Sequence, residues 1–196
     1  MDIIAATKNK DKLREMREIL GSMGFRVIAA AELGVTEEIT EDGATFEDNA
    51  IKKARVISQR TGAMALADDS GIEIDYLGKK PGVRSSRFLG EKTDYAVKNK
   101  KILDIMRDAE ENERTARYVC VMAAASPRGE ILLSRGEIEG VISREPRGTG
   151  GFGYDPIFLL PEKGATFGEM ADEEKNRISH RRKALDGMAG KLVSRK

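Results

Sequence analysis

One cysteine and one histidine in 196 residues leave little material for disulfide or zinc chemistry. Cys120 has no second cysteine to join, and its place in an apolar run points to packing in a reduced compartment. His180 alone cannot build a Cys/His cluster, which argues against a structural zinc site. A charge excess is missing too, because 34 Lys and Arg stand against 33 Asp and Glu. That balance argues against the broad basic face of a general nucleic-acid binder, yet leaves room for a local basic pocket. No apolar run approaches the roughly 18 residues of a membrane span. The N-terminus lacks the charged-then-apolar layout of a secretory signal, and neither internal repeats nor low-complexity linkers occur. The expectation is a soluble cytoplasmic protein with no membrane or direct nucleic-acid partner, folded as one domain over 1–196.

What the sequence does contain is Ala67-Asp68-Asp69-Ser70-Gly71, placed directly after the apolar run Ala63 to Leu66, which reads as a buried strand. Adjacent carboxylates at the end of such a strand are costly unless a cation meets them. In open α/β sheets, ligands bind beyond the carboxyl ends of the strands. Side chains alternate across a strand, so one aspartate faces that crevice, with Asp69 ahead of Asp68. The same residues also suit a polar turn in which Gly71 leads the chain away, and both readings stand.

Ahead of this stretch, Asp2 to Thr7 reads as a first strand, followed by Thr7-Lys8-Asn9-Lys10-Asp11-Lys12 and an amphipathic helix through Leu13, Met16, Leu20 and Met23. A strand-to-helix turn offers backbone N–H groups and the positive end of the helix dipole, and three lysines add donors for a polyphosphate. It is not a Walker loop, having no glycine and no Gly-Lys-Ser/Thr ending. Phe25 to Ala29 is a second strand, and an acidic loop through Glu32, Glu37, Glu38, Glu41 and Asp42 could share a cation with Asp69. Thr45, with Asp48 three residues on, then opens a helix that buries Ala50, Ala54 and Ile57 and carries Lys52 and Lys53.

Later elements are a half-exposed strand over Gly71 to Tyr76, a loop from Pro81 to Phe88, and a helix from about Thr93 to Arg107. Tyr118 to Ala125 is a continuous apolar strand that turns at Ser126 to Gly129 and returns as a hairpin through Ile131 to Ser134, while Glu137 to Ile142 alternates and continues the sheet. Four glycines between Gly148 and Gly153 require left-handed angles or close backbone approach, and they present Phe152 as a surface on which a base could stack. A final helix through Ile178, Leu185, Met188 and Leu192 follows Lys175 and contains His180, Arg181 and Arg182. Cations at a helix start oppose its dipole, a local conflict of the kind found at functional sites.

Taken in order, Thr7-x-Asn9-x-x-Lys12, Phe46-x-x-Asn49-Ala50 with Lys53, Ala67 to Gly71, Pro81-Gly82-Val83 with Ser85-x-Arg87, Gly150 to Pro156 and Ser179-His180-Arg181 resemble the inosine/xanthosine triphosphate pyrophosphatases. The resemblance implies an α/β fold, an elongated mixed β-sheet flanked by helices with two lobes around a central substrate cleft. It implies magnesium (Mg2+) as cofactor, a homodimer, and hydrolysis of non-standard purine nucleoside triphosphates to monophosphate and pyrophosphate. Carried over to this sequence, Thr7 to Lys12, including Asp11, and Lys53 would hold the triphosphate. Glu41 and Asp69 would bind the metal, with Glu38 a rival to Glu41, and Asp69 would be the catalytic base. Ser70 and Phe152, Gly153, Tyr154 and Asp155 would frame the nucleotide, and Lys175, His180 and Arg181 would read the base. Asp68, Asn49 and Arg87 are secondary candidates. Donor-only cations such as Lys175 and Arg181 satisfy the purine 6-carbonyl of inosine and xanthosine but not the 6-amino group of adenosine. The alternatives are a Maf-type pyrophosphatase for pyrimidine or modified nucleotides, and a non-catalytic nucleotide sensor.

Overall fold

A computed structural model describes residues 1–194, apart from the side chain of Asp11. Strand β1 (Asp2–Ala5) leads into helix α1 (Lys10–Ser22), and β2 (Arg26–Ala29) returns parallel to β1 with Val27 opposite Ile3. β1 stops two residues short of the expected Thr7. α1 buries Met16, Ile19 and Leu20, whereas Met23 lies beyond its last turn and is exposed, so the apolar stripe is one turn shorter than its spacing suggested. Helix α2 (Phe46–Thr61) begins at a complete capping box. Thr45 Oγ1 accepts from Asp48 N at 3.1 Å and the Asp48 carboxylate accepts from Thr45 N at 3.2 Å. Ala50, Ala54 and Ile57 are buried beneath it, as expected.

The expected turn after Asp69 is corrected by strand β3 (Ala65–Ile74), which runs straight through Asp68-Asp69-Ser70-Gly71. Turn propensity loses to pairing here. Ile4 and Ala5 of β1 lie beside Ala65 and Leu66, β4 (Lys80–Pro81) pairs antiparallel with Glu73 and Ile74, and Ile72 N donates to Ser85 Oγ at 2.9 Å. Both aspartates therefore sit in mid-strand, just past the point where β1 has ended.

Helix α3 (Tyr95–Ile105) precedes the long strands β5 (Thr115–Ala125) and β6 (Ile131–Ile142), and the short strands β7 (Phe158–Leu160) and β8 (Ala165–Thr166) follow. The mixed sheet has the order β2-β1-β3-β5-β6-β7-β8, with β4 on β3. The single C-terminal helix of the sequence reading is in fact two, α4 (Asp172–Ile178) and α5 (His180–Val193), separated by an extended Ser179 at φ −64°, ψ 154°.

The chain gathers into two compact units. The first comprises, among the described residues, 1–69, 120–136 and 181–194, with a core of Ile3, Leu20, Leu66, Met122, Leu185 and Met188 among others. The second comprises 70–119 and 137–180, around Ile72, Ile102, Tyr118, Phe158 and Phe167. Ile178 packs in the second core and Leu185 in the first, so the break at Ser179 is also where the chain changes cores. Among the described residues, no helix is long and apolar enough to cross a membrane.

Candidate active site

In the first unit the two aspartates meet different partners because their side chains alternate across β3. Asp68, 2% exposed, accepts from Lys12 Nζ at 2.6 Å. Burial pushes its carboxyl up, but the charges of Lys12, Lys53 and Arg181 outweigh that and hold it at about 2. Asp69, 7% exposed, accepts at Oδ2 from Asn49 Nδ2 at 2.9 Å, and Lys53 Nζ stands 3.9 Å from its Oδ1. Burial raises it to about 6, Lys53 and Asn49 opposing and the Glu41 and Asp68 carboxylates adding to the rise. A carboxylate poised there can exchange a proton near neutral pH.

Lys53 also donates to Glu41 Oε1 at 2.5 Å, so the acidic loop does reach Asp69 through Glu41, whereas Glu38 is exposed. Burial works against the Lys53 charge, and Asp68, Asp69 and Glu41 more than offset it. Asn49 ties the loop down from the other side, accepting from Gly43 N at 2.8 Å. A Cβ at Gly43 would come within 2.7 Å of Asn49 Oδ1, which explains the glycine. Among the described residues no three His, Cys, Asp or Glu side chains converge. An ion at Glu41 and Asp69 would have to complete its coordination with water and substrate oxygens, the habit of magnesium.

The turn before α1 is less open to phosphate than its sequence suggests. Asn9 N donates to Thr7 Oγ1 at 3.1 Å and Lys12 N to Asn9 Oδ1 at 3.2 Å, so two early amides serve the helix start. Lys8 and Lys10 are exposed, and the Asp11 side chain lies outside the described residues. Arg181 is buried at the start of α5 with Nη1 at 3.3 and 3.2 Å from the two Glu15 oxygens, which resolves the cation conflict at that helix start. Sequence reasoning missed Glu15. Its signal was a carboxylate three residues after Lys12 on the same face of α1.

In the second unit the glycine run does what its composition requires. Gly148, Gly151 and Gly153 take φ near +70°, and a Cβ on Gly148 would lie 2.1 Å from the Gly168 carbonyl. Phe152 is 53% exposed between its glycines, and Lys175 Nζ stands 5.3 Å from the ring centroid. Asp155 is buried and fully engaged. Its Oδ1 accepts from Tyr118 Oη at 2.9 Å, and its Oδ2 from Phe152 N at 2.9 Å and Lys175 Nζ at 3.2 Å. Tyr154 is turned inward, donating to Ser85 O at 2.7 Å, and Gly153 O accepts from Asn99 Nδ2 at 3.2 Å. Both hold the loop in place. His180 stacks on Tyr118 at 4.9 Å between ring centroids. Ser70 is half-buried on β3, and Arg87 Nη2 donates to Val83 O at 3.5 Å.

Two carboxylates driven apart in acidity beside lysines, in one unit of an α/β protein, are the kind of cluster that gathers at functional sites. The Ham1 family pattern matches residues 3–191, and the chain belongs to the Ham1 family. It is 49% identical over 185 residues to a dITP/XTP pyrophosphatase of Desulforamulus reducens, covering 94% of this chain and 92% of that protein. A Bacillus subtilis protein of the same name is 46% identical over 184 residues, covering 94% and 93%. A solved HAM1 protein from Coxiella burnetii superposes with a TM-score of 0.93 at 41% identity over 99% of both chains.

Proposed function

We propose that this chain, as one catalytic domain, hydrolyses non-standard purine nucleoside triphosphates such as inosine, deoxyinosine and xanthosine triphosphate to the monophosphate and pyrophosphate. The observation that carries the reading is the pair Asp68 and Asp69, adjacent on β3, one paired with Lys12 at 2.6 Å and the other buried between Asn49 at 2.9 Å and Lys53 at 3.9 Å, where burial raises its carboxyl. Its relatives, named dITP/XTP pyrophosphatases, support the substrate class.

Glu41 and Asp69 fit a magnesium ion, because the two carboxylates already converge on a shared cation, Lys53, and magnesium favours oxygen donors. When bound, such an ion neutralises phosphate charge and acidifies water. Asp69 takes the proton of the attacking water as its oxygen bonds to phosphorus and the bridge between the first and second phosphates breaks. Asn49 fixes the Asp69 carboxylate in direction. Lys12, oriented by Asp68, and Lys53 stabilise the charge on departing pyrophosphate, with Thr7 to Lys10 lining the phosphates. Phe152 offers its exposed face to the base, and Lys175, His180 and Arg181 read its carbonyl. The protein works as a cytoplasmic homodimer on this reading, and sedimentation of the purified protein checks the dimer.

The decisive experiment is a magnesium-dependent turnover panel on inosine, xanthosine, adenosine and guanosine triphosphates with products resolved. Monophosphate plus pyrophosphate from the first two alone is the expected result. Diphosphate plus phosphate, or equal use of all four, would sink the proposal.

A further inference from the structure

The side chain that links the base-reading residues of the second unit is one no motif contains. Tyr118 enters β5 among apolar residues and is buried, so its hydroxyl needs an internal partner. It finds one in Asp155 Oδ1 at 2.9 Å, while Asp155 Oδ2 is left to Phe152 N and Lys175 Nζ. Each carboxylate oxygen thus has a separate duty. The Tyr118 ring lies parallel to His180 at 10° and 4.9 Å, and parallel to Phe167 at 10° and 5.8 Å. Gly151 leaves no slack, because a Cβ there would lie 2.1 Å from Asp155 Oδ2 and 3.0 Å from Lys175 Nζ.

We infer that Tyr118 is a positioning residue for base selectivity, its hydroxyl pinning Asp155 so that the carboxylate aims Lys175, and its ring setting the plane of His180. The inference rests on the proposed function of the same residues. Without the hydroxyl, Asp155 Oδ1 is a buried oxygen with no donor from β5, and the carboxylate turns to share that oxygen with Lys175, drawing the ammonium from its direction. The effect is on which base is held and how tightly. The phosphate-handling residues of the first unit are untouched.

The test is Tyr118→Phe, which keeps the ring and removes one oxygen, assayed beside the wild type with inosine and adenosine triphosphates. KM for inosine triphosphate should rise about tenfold, the loss expected for one hydrogen bond to a charged group. kcat should move much less, and the ratio of kcat/KM between the two substrates should fall by a similar factor. Binding of inosine monophosphate by calorimetry should weaken in parallel. In a Lys175→Gln background the same substitution should add almost nothing, because both act on one element. Asp155→Asn, which still accepts from the hydroxyl but loses the charge facing Lys175, should reproduce the selectivity loss and serves if Tyr118→Phe does not fold. A lowered Tm with unchanged selectivity, or independent and additive losses with Lys175→Gln, would overturn the inference. If the wild type itself fails to discriminate inosine from adenosine triphosphate, the proposed function falls, and this inference falls with it.

Discussion

Asp68 and Asp69 are the same residue twice, and their surroundings give them opposite effects on stability. In the unfolded chain both titrate near 3.8. For Asp68 the folded value of about 2 lies below that, so its contribution is present above 3.8 and disappears as pH falls toward 2. For Asp69 the folded value of about 6 lies above it, so the metal-free protein loses stability as pH climbs from 3.8 to 6 and stays at the lower level beyond. Asp69→Asn should therefore stabilise the metal-free protein at pH 7.5 by about 2 kcal/mol, several degrees in Tm, while turnover collapses. Calorimetry beside a product assay checks this, and a less stable variant would contradict the reading of Asp69 as a strained base. Asp68→Asn should act the other way, lowering Tm at neutral pH by a comparable amount, with the difference from wild type vanishing toward pH 2.

At the scale of elements, the glycine loop gives the sharpest contrast. Gly148→Ala forces a left-handed residue and a Cβ against the Gly168 backbone, whereas at Gly150 the nearest contact is 3.1 Å and φ is not positive. The first should cost more than about 2 kcal/mol and raise KM for the nucleotide, the second clearly less. Denaturant melts of the two variants decide it. This loop was legible from composition, as were the Thr45 capping box and the α2 stripe, because each depends on neighbours in sequence. β3 was not. Asp, Ser and Gly favour turns, and it is partners distant in sequence, β1, β5, β4 and the Ser85 hydroxyl, that hold β3 as one strand. The break at Ser179 was hidden for a similar reason, since neither glycine nor proline marks it and Ile178 falls in step with Leu185. The candidate site was readable as residue types, while the roles of Glu15 and Tyr118 were invisible because they depend on partners distant in sequence, Arg181 for the first and Asp155 and His180 for the second.

For the whole molecule, the order of segments matters more than their number. The first unit is assembled from the two ends of the chain and a middle hairpin, and Ala184, Leu185, Met188, Ala189 and Leu192 of α5 complete its core. Truncation after Ser179 should thus expose the β1 and α1 amides to hydrogen exchange, although residues 1–69 are intact, while β7 and β8 stay protected longer. Equal protection of β1 in the truncated and full chains would refute it. The same feature has a meaning for vectorial synthesis. A ribosome adding about 5 to 20 residues per second needs roughly 10 to 40 s to reach α5. Throughout that interval the nascent β1 and α1 carry an apolar face whose permanent cover has not yet been translated, so these elements, made well before α5, stay open to aggregation until it follows.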